Sequence, residues 1–225
     1  MVYPLQTNRT KMSKIEQITY LGEIQRKSIH IVSLLIPIIY YFIDTKTALL
    51  ILFPVAILTL LIDLGIYYSD TFRKIMYPIV GGMLRPHEMH RTSLVLNGAS
   101  WVMIAACITV AIFPKPLAII GYSIVILSDI AAALIGRKFG KTPVLDKSLQ
   151  GSTAFFVVAL IVSAIWTWIF EYSSTFFSIC IVGSILATIA EASTTRFKLD
   201  DNLAVPLAFA GSTWILTLLL SISLR

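Results

Sequence analysis

Long uncharged runs alternate with short polar connections along almost the whole chain. Leu94–Phe113, Ser152–Phe170, Tyr172–Ala190 and Leu203–Leu224 are apolar stretches of about 20 residues, the length needed to cross a bilayer as a helix. Pro116–Ile135 is a fifth, interrupted only by Asp129. Two shorter runs precede them, Ser28–Ile43 and Thr47–Ile62, which need flanking residues to complete a crossing. The pattern predicts an all-α polytopic transmembrane bundle of about seven spans. Lipid enforces this class, because only helices and closed barrels satisfy every backbone polar group within the hydrocarbon.

Composition and charge agree with the pattern. Hydrophobic residues make up 57% of the 225-residue chain and the mean hydropathy is +0.84, well above a soluble domain. With a cytoplasmic N-terminus and seven crossings, residues 1–28, 63–93, 136–151 and 191–202 share the cytoplasmic side. They hold all of the 18 Lys and Arg except Lys46, Lys115 and Arg225, as the positive-inside rule expects. The net charge of +6 therefore reads as topology and contact with anionic headgroups, not as nucleic-acid binding. Cys107 and Cys180 both fall mid-span, so no disulfide is expected. The first residues are polar and carry no cleavable signal pattern. We read 1–22 as a basic cytoplasmic tail and 23–225 as a single integral-membrane domain.

Nearly every polar residue with chemical potential lies in the four predicted cytoplasmic segments. The first holds Glu23, Arg26, Lys27 and His30, which share one face of a helix by spacings of three and four. A cationic phosphate contact and an interfacial anchor both fit them, and His30 reads as a base or as a satisfied polar group at the substrate entrance. The second, residues 63–93, begins as an amphipathic segment suited to the headgroup plane. It continues into Arg85-Pro86-His87-Glu88-Met89-His90, whose spacing does not fit a helical zinc site. Glu88 is a polar candidate for the substrate entrance.

The third segment says most. Ser128-Asp129 sits inside an apolar helix that runs into Gly136-Arg137-Lys138-Phe139-Gly140-Lys141 and on to Lys147-Ser148-Leu149-Gln150-Gly151-Ser152. A charge at that depth costs roughly 2.5–3.5 kcal/mol on insertion scales and usually serves a function. Asp129 and Gly136, seven residues apart, fall on one helical face about 10 Å apart. Gly136, Gly140 and Gly151 let backbone N–H groups approach an anion, while Arg137, Lys141, Lys147 and the Ser148 helix start supply donors. This is not a Walker loop. The fourth segment adds Glu191 and Asp200-Asp201-Asn202. With Asp129 these oxygens suit a divalent cation, since magnesium takes carboxylates supplemented by substrate phosphates; a capped acidic turn is the simpler alternative for Asp201 and Asn202.

In this order the motifs resemble the dolichol kinase, phytol kinase and CTP-dependent diacylglycerol kinase family. The matching residues are Glu23-x-x-Arg26-Lys27-x-x-His30, Arg85-x-x-Glu88, Ser128-Asp129-x-x-Ala132-x-x-x-Gly136-Arg137-x-x-Gly140-Lys141, Lys147-Ser148-x-x-Gly151-Ser152 and Asp201-Asn202-x-x-x-Pro206. The resemblance runs from about residue 23 to 215. It implies transfer of the γ-phosphate of CTP, with Mg²⁺ or another divalent ion, to the hydroxyl of dolichol or another polyprenol, phytol, geranylgeraniol or diacylglycerol. By matching position it makes Arg26, Lys27, Asp129 and Gly136 essential; Glu191 joins them as a catalytic candidate. Gln150 departs from a common glutamate. CDP-diacylglycerol synthases share a version of the third motif, but the Pro-Gly-His-Gly-Gly run that ends them has no counterpart in 191–206. The alternative of a phosphatidate cytidylyltransferase is therefore the weaker reading. A transporter is weaker still, because its polar residues would line both halves of a path.

Overall fold

The computed structural model describes residues 30–80, 94, 96–197 and 199–224. They form eight helices and one short hairpin: α1 (Leu35–Phe42), α2 (Thr45–Tyr68), α3 (Asp70–Val80), α4 (Gly98–Ile112), α5 (Lys115–Phe139), β1 (Pro143–Val144), β2 (Lys147–Ser148), α6 (Leu149–Ile169), α7 (Ser174–Phe197) and α8 (Asp201–Leu219). Five of them, α2 and α5 to α8, are long and apolar enough to cross a membrane. The remaining two expected crossings correspond to shorter apolar helices, His30–Phe42 and Gly98–Ile112. At 1.5 Å per residue these reach only about 20–23 Å, short of a ~30 Å hydrocarbon core. The run at Thr47–Ile62, expected to be among the short ones, instead extends to a 24-residue helix.

Local chemistry sets several helix starts. Asp44 accepts from the Thr47 N–H, Asn97 from Ser100, Ser148 from Gly151 and Asp200 from Asn202, each a side-chain oxygen satisfying an otherwise orphaned donor. Pro116 opens the first turn of α5, where a missing N–H costs nothing. Pro54 and Pro206 lie inside α2 and α8, positions that membrane helices tolerate.

The bundle is built around α5. Every residue from Pro116 to Ile126 is buried, the signature of a helix apolar on all sides. It packs against α6, α8, α1 and α4, while α7 closes the far side of α6 and α8. On α2, by contrast, Leu50, Phe53, Leu58 and Leu61 are exposed, as lipid-facing side chains should be.

The two ends of the bundle differ in kind. At one, Lys115 Nζ donates to the carbonyls of Tyr41 at 3.0 Å and Ile43 at 2.8 Å, covering the C-terminus of α1. Tyr41, Trp166, Phe170 and Tyr172 stack around it, an arrangement typical of the membrane interface. At the other end lie the Asp129, Glu191 and Asp201 carboxylates.

Between α2 and α4, Asp63, only 6% exposed, accepts the Asn97 backbone N–H at 2.9 Å and also the Asn97 side-chain amide. This clasp returns the chain to the bundle after the amphipathic α3, whose Phe72 ring lies where a Cβ on Gly65 would stand, 2.7 Å away. Asn97→Ala removes both the cap of α4 and an amide partner of a buried carboxylate. It is expected to lower stability by about 1–3 kcal/mol, read as a fall in the thermal unfolding midpoint in detergent.

Candidate active site

The C-terminal half of α5 alternates one acid with small residues, and this sequence choice hollows out the site. Asp129, Gly136 and Arg137 from α5, Lys147 from β2, Gly151 from α6 and Glu191 from α7 border a cavity of about 270 Å³. Asp129 and Gly136 share its wall, as their seven-residue spacing requires, with Ala132 and Ala133 between them. Ser148 also lines it while capping α6.

Small residues let α5 and α6 meet at this point. A Cβ on Gly151 would lie 3.1 Å from the Ala132 carbonyl oxygen and 3.3 Å from Gly136 Cα. The first task of Gly136 and Gly151 is therefore close helix packing, beyond the anion approach expected of them. Gly140 and Lys141 sit just beyond the rim, in the loop that leaves α5.

That loop is pinned in three places. The Leu149 N–H donates to the Thr142 carbonyl at 2.8 Å. Gln150 Oε1 accepts the N–H of Lys141 at 3.0 Å and of Thr142 at 3.4 Å. The hairpin tip docks on α7: the Asp146 N–H donates to the Ala192 carbonyl at 3.0 Å, and Asp146 Oδ2 accepts the Arg196 N–H at 2.8 Å. Leu145, at φ 50°, takes the left-handed conformation that closes this two-residue turn.

Docking the hairpin delivers Lys147 to a nest of carboxylates. Its Nζ is 2.9 Å from Glu191 Oε1 and 4.0 Å from Asp201 Oδ2, and Asp129 acts on it electrostatically. Burial pulls the ammonium pKa down, but the pull of Glu191, Asp201 and Asp129 prevails and holds it above the ordinary lysine value. A raised lysine pKa stabilises the fold fully below the unfolded value and is lost only as pH rises through the folded one. Lys147 is thus a cation throughout the neutral range. Glu191 is 1% exposed, and its Oε2 has no hydrogen-bond partner among the described residues.

The other expected site residues distribute unevenly. His30 Nε2 lies 3.8 Å from Asp129 Oδ2, so this histidine belongs beside the buried acid. Asn202 donates through Nδ2 to Asp200 Oδ1 at 2.7 Å and reaches Asp201 Oδ1 at 3.4 Å, tying the start of α8 together. Arg26, Lys27 and Glu88 lie outside the described residues. Among the described residues no three His, Cys, Asp or Glu side chains are arranged to hold a metal by themselves. Hard carboxylate oxygens around Lys147, one of them an orphan, fit an ion that arrives with phosphate ligands better than a protein-only cage. Sequence reasoning missed Asp63, Asp146 and the role of Gln150. Only the family's preference for an acidic residue at Gln150 hinted that an acceptor is needed there.

No family model matches the chain, and no solved structure matches it. An uncharacterized protein of Rickettsia prowazekii is 34% identical, over 86% of this chain and 94% of its own length. CTP-dependent diacylglycerol kinase 1 of Schizosaccharomyces pombe is 26% identical, over 62% of this chain and 67% of the relative. Probable phytol kinase 1, chloroplastic, of Oryza sativa is 27% identical, over 54% of this chain and 42% of the relative.

The chain is a distant relative of the CTP-dependent diacylglycerol kinase and phytol kinase family.

It is, at the level of that family, a multi-pass membrane lipid kinase. For such an enzyme the Gln150 contacts give a direct expectation. Gln150→Leu frees the Lys141 and Thr142 amides and should lower lipid phosphorylation about tenfold, the equivalent of one lost hydrogen bond. Gln150→Glu keeps both acceptor contacts and should stay near wild type in the same membrane assay.

Proposed function

We propose that the chain transfers the γ-phosphate of CTP to the hydroxyl of a membrane lipid alcohol, an isoprenoid alcohol or diacylglycerol, on the cytoplasmic face. The observation that carries this reading is the cavity where Asp129, Arg137, Lys147 and Glu191 meet at one end of an apolar bundle. A nucleotide reaches that end from water while a lipid hydroxyl reaches it from the bilayer. The relatives, a CTP-dependent diacylglycerol kinase and a probable phytol kinase, support both the donor and the acceptor class. The positive-inside distribution of Lys and Arg supports the cytoplasmic orientation.

In the reaction the lipid hydroxyl oxygen forms a bond to the γ-phosphorus and releases its proton to a phosphate oxygen or water, as the bond from that phosphorus to the β-bridging oxygen breaks and CDP leaves. Phosphoryl transfer of this kind depends on positioning and charge neutralisation. Arg137 and Lys147 face the cavity and neutralise phosphate oxygens. Lys141 flanks it, and Arg26 and Lys27 add the cations that the family match assigns. Ser148 and Gly151 place the α6 N-terminus, a donor-rich helix end, beside the anion. Glu191 holds Lys147 in position, and His30 bears on Asp129. Glu88 stands at the lipid entrance in this reading. Asp129 and Asp201, with Asn202, would hold a Mg²⁺ ion, which when bound supplies charge neutralisation on the phosphates.

Two measurements test the reading. Purified protein in detergent, given Mg²⁺, γ-labelled CTP and a panel of polyprenol, phytol, geranylgeraniol and diacylglycerol, should label one lipid, with ATP and GTP competing poorly. Absence of γ-label from every lipid, together with entry of α-label into phosphatidate, would replace the kinase by a cytidylyltransferase. Asp129→Asn should reduce turnover at least about a hundredfold while membrane insertion and thermal stability persist. An active Asp129→Asn protein would remove Asp129 from the mechanism.

A further inference from the structure

We propose that Lys147 is a resident counter-ion of the carboxylate nest, and that it and a divalent cation occupy the nest alternately. The ammonium fills the nest in the nucleotide-free protein and leaves it when a cation-bearing polyphosphate enters. The proposal rests on the reading that this cleft takes a nucleotide with a divalent ion, and adds the order of events.

Three observations carry it. The Lys147 ammonium sits 2.9 Å from Glu191 and 4.0 Å from Asp201, with Asp129 also acting on it. A second, doubly charged cation bound to the same oxygens would lie within a few ångströms of the first, where repulsion is strong. Glu191 is 1% exposed and its Oε2 has no partner among the described residues, so one ammonium leaves this buried acid incompletely satisfied. Lys147 also borders the cavity and is one-third exposed. Its long flexible stem can therefore swing the charge into the cavity, while the backbone stays held through Asp146 to α7.

The exchange has a chemical consequence. A lone divalent ion displaces the ammonium less readily, because the displaced cation would exchange its carboxylate partners for water alone. A polyphosphate supplies an anion to meet it, so the ion and the nucleotide enter together, and the displaced ammonium becomes a phosphate ligand in the same movement.

The test uses Mn²⁺ alone as the probe, followed by its paramagnetic resonance signal on the full-length protein in detergent. Without nucleotide the wild-type protein is expected to show no tight Mn²⁺ site, and to acquire one when CTP is added without lipid. Lys147→Met should bind Mn²⁺ without nucleotide at least about tenfold more tightly than wild type. Glu191→Gln in the same background should abolish the gain, and Lys147→Arg should behave as wild type. Equal Mn²⁺ affinity of the wild-type protein with and without CTP overturns the proposal, and this arm needs no variant to fold. So does Lys147→Met binding no more tightly than wild type. These arms involve no turnover: their failure with γ-label transfer intact rejects the exchange alone. Loss of γ-label transfer with the Mn²⁺ pattern intact rejects the kinase reading alone.

Discussion

A carboxylate almost wholly buried among apolar helices is sustainable only while a cation lies against it, and Glu191 meets this condition through Lys147. Removing one member of such a pair leaves the other desolvated and unpaired, a loss of about 3–5 kcal/mol in buried settings. Much of the surrounding architecture serves to bring that one ammonium to that one acid. The hairpin carries Lys147, Asp146 fastens the hairpin to α7, and Gln150 fastens the preceding loop to α6. Small residues at the α5–α6 crossing leave room for the cavity beside it.

The bundle separates its chemistry by end. The end bearing Lys115 uses its charge for structure, capping carbonyls beneath a layer of stacked aromatic rings. The opposite end concentrates carboxylates, cations and helix N-termini around open space. The same side chain type, lysine, thus serves as a cap at one end and as a mobile counter-ion at the other. The difference lies in the partner: backbone carbonyls with fixed partial charge hold Lys115, whereas Lys147 faces full charges that a polyphosphate can rearrange. A lipid kinase needs this asymmetry, because its donor comes from water and its acceptor from the bilayer.

Several elements were legible from the residues alone. Asp129 in an uncharged run, Arg137 after Gly136 and the Ser148 cap each carry a local signal, and all three border one cavity. Other features left weak traces. The apolar run at Leu94–Phe113 reads as a full crossing, yet helix α4 begins only at Gly98, because Asn97 caps it and clasps Asp63 on α2. Periodicity could not reveal that clasp, since its partners stand 34 residues apart. The glycines suggested phosphate approach, and the structure adds a packing role: Gly151 meets the Ala132 carbonyl and Gly136 of the facing helix, while Gly136 and Gly140 meet the Ser148 side chain. Gln150 looked like a neutral departure, although two backbone amides depend on its side-chain oxygen.

The sequence by itself determined the helical membrane class, because hydropathy and charge asymmetry act locally and every spanning segment must satisfy its own backbone. It also determined the set of groups available for chemistry, since side-chain type does not depend on folding. Only the tertiary structure decided that Lys147, Glu191, Asp129 and Asp201 form one electrostatic unit. These residues come from β2, α7, α5 and the start of α8, and their interaction falls off within a few ångströms. Such coupling has no counterpart in sequence spacing; it arises when α5, α6, α7 and α8 pack with their polar ends together.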